Sequence, residues 1–125
     1  VAEVFGFLHQ QAAQLKAQGI GSERILLDPG FGFGKMLHHN LALLKALAKL
    51  KGNGHLLAGL SRKRMIGELT GHKGPPAERL GGSLAAALYA AFHQGATVVR
   101  VHDVQATVQA FKVWAALGMR PSAES

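Results

Sequence analysis

Arg24-Ile25-Leu26-Leu27-Asp28-Pro29-Gly30 is a short apolar run closed by a carboxylate and a Pro-Gly turn. A continuous apolar stretch of this length, bounded by turn residues, predicts a strand buried on both faces. Upstream, Val4, Leu8, Ala12 and Leu15 recur at helical spacing, which predicts a helix from Ala2 to Gln18 ended by Gly19. Val1 thus stands at the start of a helix with no initiator Met before it, the pattern of a piece of a longer protein.

Downstream the same alternation repeats. Asn40 is placed to cap a second helix with Leu41, Leu44, Leu47 and Leu50 as its stripe, ending at Gly52-Asn53-Gly54. His55-Leu56-Leu57-Ala58-Gly59-Leu60 predicts a second buried strand running into Ser61-Arg62-Lys63, and Met65 to Leu69 a short helix. Pro75 or Pro76 opens a third long helix striped by Leu80, Leu84, Leu88 and Ala91 and closed by Gly95. Thr97 to Val101 predicts a third strand, and Asp103 a cap for a last helix lined by Val104, Val108, Phe111 and Ala115. Strands alternating with helices of this length predict α/β architecture with right-handed crossovers and a parallel sheet. Periodicity does not separate an open doubly wound sheet from part of a closed barrel. Three parallel strands leave two bare edges, which native folds cover or close, so a partial (β/α)8 barrel is the better physical reading.

Composition narrows the function. Apolar residues make up 48% of the chain and charged residues 17%, which predicts a folded globular chain. With no cysteine, thiolate metal sites, disulfides and thiol nucleophiles are excluded, which fits a reducing cytoplasm. No apolar run approaches the roughly 20 residues of a membrane span, so a soluble chain with no membrane partner is expected. Fourteen Lys and Arg against seven Asp and Glu give a formal charge of +7, which attracts anions. These cations are scattered, only Arg62, Lys63 and Arg64 being adjacent, and aromatics are not interleaved with them; nucleic acid is not the expected partner.

In parallel α/β folds, ligands meet the C-terminal ends of the strands. Asp28 ends the first strand, Ser61-Arg62-Lys63 the second, and Arg100 and His102 the third. One polar strand end is only where an apolar run meets solvent; three, with Arg100 inside Val98-Val99-Arg100-Val101, point to a shared site. A cation within a strand calls for a carboxylate or a bound phosphate. The loop Gly30-Phe31-Gly32-Phe33-Gly34-Lys35 is one residue short of a P-loop, has Met36 at its Ser/Thr position, and does not match G-x-G-x-x-G. On sequence alone Phe31 and Phe33 favour core over ligand platform. The adjacent His38-His39 diverge on any regular element and no H-E-x-x-H occurs, so no metal ligands are expected in this segment.

Three segments taken together resemble the dihydropteroate synthase family: Ile25 to Lys35 (ILLDPGFGFGK), Gly59 to Gly67 (GLSRKRMIG) and Arg100 to Val104 (RVHDV), in that order, with Glu78 to Ala85 (ERLGGSLA) between. The resemblance implies a pterin-binding (β/α)8 barrel, of which residues 1–125 supply the last three strands as the C-terminal part of a single domain, its N-terminal strands missing. It implies condensation of 6-hydroxymethyl-7,8-dihydropterin pyrophosphate with p-aminobenzoate, a transferase reaction of folate biosynthesis, with this segment inactive alone. Carried over by motif, Asp28 and Lys63 bind the pterin, Arg100 and His102 the pyrophosphate, and Phe33, Ser61, Arg62 and Lys63 the aminobenzoate; Asp28, Lys63, Arg100 and His102 are the catalytic set. A Mg2+ cofactor is implied, its ligand lying in the N-terminal part, as is a homodimer through the C-terminal helices with Phe111 and Trp114. Many family members have Ser where this chain has Arg64, so the aminobenzoate carboxylate would rely on backbone N–H groups there. The rival readings are a pterin-dependent methyltransferase relative and a non-catalytic assembly module of the same fold.

Overall fold

Glycines at positive φ mark where the predicted elements end. The computed structural model describes residues 1–32 and 36–118. Helix α1 spans Ala2–Ala17 and gives way to Gly19 at φ 91°; α3 spans Arg64–Thr70 and stops on Gly71 in the left-handed region. Only glycine adopts that backbone without a Cβ penalty, and both breaks fall within a residue or two of the predicted ends. Strands β1 (Leu26–Leu27), β2 (His55–Ala58) and β3 (Val98–Val99) are shorter than the apolar runs that contain them. They form one parallel sheet in the order β1-β2-β3, Leu27 opposite Leu56 and Ala58 opposite Val99. Helices α2 (Leu37–Lys45), α4 (Leu80–Leu88) and α5 (Val104–Ala116) complete the alternation.

The core lies on one face of this sheet. Ile25, Leu27, Leu56, Ala58 and Leu60, alternate residues of β1 and β2 and their extensions, pack with Phe31, Leu43, Leu47 and Leu50. The expectation of a strand buried on both faces fails at Leu26, which is 50% exposed. Among the described residues, helices cover one face only, and the other carries Leu26, Leu57 and Val98 with little over them.

Further expectations are corrected. Asn40 does not cap α2; Met36 occupies that position, and Asn40 is buried inside the helix with its side-chain oxygen accepting the Gly32 N–H at 2.9 Å. The third long helix is segmented: Pro76–Glu78 form a 3-10 turn, α4 follows, and Tyr89–His93 continue as a π-helical turn. Of its predicted stripe only Ala91 is buried, together with Ser83, Ala87 and Ala90, because small residues let α4 approach α3: a Cβ on Gly82 would sit 2.5 Å from Ile66 Cγ2. The α5 stripe is likewise not core, since Val104 and Val108 are exposed.

Candidate functional site

Register places the polar strand ends. With Leu57 opposite Val98 and Ala58 opposite Val99, the next rung pairs Gly59 with Arg100, whose N–H donates to the Ala58 carbonyl at 3.0 Å. Arg100 and Asp28 share the alternation of Val98 and Leu26, so both emerge on the uncovered face. The Arg100 side chain crosses Gly59, where an added Cβ would lie 2.8 Å from its Nη2, and Nη1 comes to 3.9 Å from Asp28 Oδ2. That is a coulombic contact and too long for a hydrogen bond, so both groups keep hydrogen-bonding capacity toward a ligand. Asp28 Oδ1 accepts the Gly30 N–H at 2.9 Å, which fixes the carboxylate against its own turn.

Lys63, where β2 hands over to α3, reaches back to the first loop and donates from Nζ to the Phe31 carbonyl at 2.6 Å. Phe31 itself is buried core, as its sequence favoured. Ser61 accepts the His102 N–H at 3.2 Å and has its hydroxyl 3.0 Å from His102 Nδ1. Ser61, Arg62, Lys63, Arg100 and His102 line a cleft of about 470 Å3. The structure therefore brings together Asp28, Lys63, Arg100, His102 and Ser61 at one end of the sheet. Phe33 lies outside the described residues.

Arg62 lines the same cleft and is tied down on every side. It is the one non-glycine residue with positive φ among those described, at 57°. Such a backbone costs of order 1–3 kcal/mol and persists where its surroundings over-determine it. Here the Arg62 N–H donates to Ser83 Oγ at 2.8 Å, and its carbonyl accepts from Arg79 Nη1 at 2.9 Å. Its guanidinium forks onto Asp103, Nη2 to Oδ1 at 2.9 Å and Nε to Oδ2 at 3.3 Å. Asp103 occupies the N-cap position of α5, as expected, but makes no side-chain capping bond there. Arg64 is 90% exposed and pairs with Glu68 at 3.0 Å along α3, away from the cleft. The sequence reading missed Gly59, Arg79, Ser83 and Asp103; opposite charges at Arg62 and Asp103 were the available signal.

The Arg62 hydrogen bonds hold the Asp103 carboxyl below the usual carboxylate range, partly offset by desolvation, and the same bonds raise Arg62. A carboxyl with a depressed folded-state pKa contributes stability above its unfolded value and loses it as pH falls through the folded one. Asp103→Asn is therefore expected to flatten the fall in stability below about pH 4 and leave the slope above it unchanged, checked by urea titrations at several pH values.

The sequence model of the pterin binding enzyme family matches residues 1–102. The chain belongs to the pterin-binding enzyme family. Within it, the chain is 53% identical over 123 residues to the dihydropteroate synthase of Neisseria meningitidis serogroup B, covering 95% of this chain and 42% of that protein. It superposes on dihydropteroate synthase from Xanthomonas albilineans in complex with 7,8-dihydropteroate with a TM-score of 0.86 and 49% identity, over 97% of this chain and 46% of that one. The Thermus thermophilus enzyme in complex with 6HMPPP gives 0.83 and 50%, over 93% and 46%. The chain spans less than half the length of these pterin-binding relatives.

Proposed function

We propose that residues 1–125 are the C-terminal part of a single pterin-binding (β/α)8 barrel domain, contributing its last three strands and their helices to a dihydropteroate synthase. The observation that carries this reading is Arg100 crossing Gly59 toward Asp28 on the uncovered sheet face, beside His102 and Lys63. In a closed barrel that face becomes the interior, and this end becomes the mouth where barrel sites form.

The geometry suits condensation of 6-hydroxymethyl-7,8-dihydropterin pyrophosphate with p-aminobenzoate. Arg100 and His102 receive the diphosphate; a guanidinium is always charged and offers two parallel donors to phosphate oxygens. As the methylene C–O bond breaks, pyrophosphate leaves with the electron pair, and charge builds where these donors already sit. Asp28 accepts from the pterin N–H edge and stabilises the cation that remains. Lys63, which reaches back to the Phe31 carbonyl beside the first loop, is assigned to the pterin carbonyl. The aminobenzoate nitrogen then closes the C–N bond and gives up a proton. Phe33 and Lys63 are assigned to the aminobenzoate, while the ties of Ser61 and Arg62 suit them to bracing the cleft.

Mg2+ does not fit the residues of this segment. The two carboxylates at this end, Asp28 and Asp103, each face an arginine, and no group of three metal-ligating side chains occurs among the described residues. Its ligands belong to the N-terminal strands. The exposed apolar residues of α5 around Phe111 are where a second copy would pack, giving a homodimer. A cytoplasmic location accords with the family chemistry, and no helix among the described residues is long and apolar enough to cross a membrane.

The test is reconstitution. The chain alone is expected to form no dihydropteroate from the two substrates. Adding the separately expressed N-terminal strands of a close relative is expected to restore product, and Asp28→Asn to abolish the restored activity. Turnover by the isolated chain would refute the partial-barrel reading; a reconstituted barrel indifferent to Asp28→Asn would refute the site.

A further inference from the structure

Ser61 is 7% exposed, and its hydroxyl faces His102 twice, at the main-chain N–H and at ring Nδ1. A hydroxyl has one proton and two lone pairs, and a main-chain N–H can only donate. One lone pair of Ser61 therefore goes to the His102 N–H. Its proton needs an acceptor in a buried place, and among the described residues Nδ1 is the acceptor within reach. The alternative, with Nδ1–H donating to Ser61, fills both lone pairs and leaves the hydroxyl proton with no partner.

We propose that Ser61 is a positioning residue that holds neutral His102 in the tautomer protonated at Nε2. This departs from the sequence-based expectation of Ser61 as an aminobenzoate ligand, and it rests on the reading that His102 meets the pyrophosphate. An imidazole whose Nδ1 accepts must carry its proton on Nε2. His102 is exposed and lines the cleft with Arg100, and Nε2 has no partner among the described residues. A diphosphate oxygen can only accept, so the opposite tautomer would aim a lone pair at it. Under Ser61 the ring offers the anion a donor whether or not it is protonated.

The brace is itself braced. Ser61 and His102 are 41 residues apart, as are Arg62 and Asp103 in the next position and Leu57 and Val98 within the sheet. The side-chain pairs continue the β2–β3 register past the last main-chain bond. The Arg62–Asp103 fork keeps the two chain ends together just beyond the ring, so the Ser61 contact follows from the sheet itself.

Long-range 1H–15N spectra of the histidine rings in the 125-residue chain, at a pH where His102 is neutral, test this directly. Expected are an unprotonated Nδ1 and a protonated Nε2, a mixture of tautomers in Ser61→Ala, and recovery in Ser61→Thr, which keeps the hydroxyl. Inorganic pyrophosphate should bind Ser61→Ala up to about twofold more weakly, following the fraction of rings left in the donating tautomer, and Ser61→Thr should recover. A protonated Nδ1 in the unsubstituted chain, or an unchanged tautomer in Ser61→Ala, overturns the proposal. His102→Ala separates the underlying reading: unchanged pyrophosphate affinity there removes His102 from the anion site, whatever its tautomer.

Discussion

Arg100→Ala is expected to weaken binding of inorganic pyrophosphate by about ten- to a hundredfold, measured by calorimetric titration. Hydrogen bonds to charged groups contribute roughly 1.5–3 kcal/mol, and each 1.4 kcal/mol is tenfold. The Arg100 backbone is fixed by its rung in the sheet, and the side chain passes over Gly59 toward the cleft. Arg100→Lys should recover only part of the loss, because an ammonium cannot make the paired contacts of a guanidinium. Arg64→Ala removes an equal charge from a side chain that points along α3, and should leave affinity unchanged. Equal losses in Arg64→Ala and Arg100→Ala would mean that the chain's general positive charge attracts the anion, without a built site.

Leu47→Ala is expected to cost about 2–5 kcal/mol of stability, read as a lower urea midpoint. Leu47 is 0% exposed and lies in the 3-10 turn Leu47–Leu50 between α2 and β2. It shares the core with Leu43 of α2 and Leu56 of β2, and a close-packed interior relaxes only partly into the space left behind. Leu26→Ala makes the same chemical change on the uncovered face and should cost about 0.5 kcal/mol or less. A cost at Leu26 comparable with that at Leu47 would show that something covers this face in solution.

The order of elements was legible because its signals are local. Gly19, Gly71 and Gly95 punctuate the helices, and the runs at Ile25, Leu56 and Val98 carry the strands. The cleft was legible in outline for a related reason, since Asp28, Lys63, Arg100 and His102 all stand where a strand ends. What stayed hidden depends on register and on packing between distant segments. Asn40 has the composition of a cap, yet a loop eight residues earlier claims its side chain. Asp103 likewise suits a cap, but Arg62, brought alongside by the sheet, takes the carboxylate first. The leucines of α4 suggested its inward face, whereas the close approach of Gly82 to Ile66 admits only small residues there.

The constant offset of 41 between facing residues from Leu57 to Arg62 bears on which changes of length this protein can accept. One residue inserted between Ala58 and Ser61 would turn each later side chain to the opposite side. Ser61 would lose His102, and an insertion ahead of Gly59 would also take that glycine from beneath Arg100. The turn from Gly71 to Pro75 lies between the same two strands, yet lengthening it alters no pairing and adds only a small loop-closure cost. Natural variants should therefore differ in length freely at that turn and hardly at all within Gly59–Lys63, even where individual side chains there are exchanged.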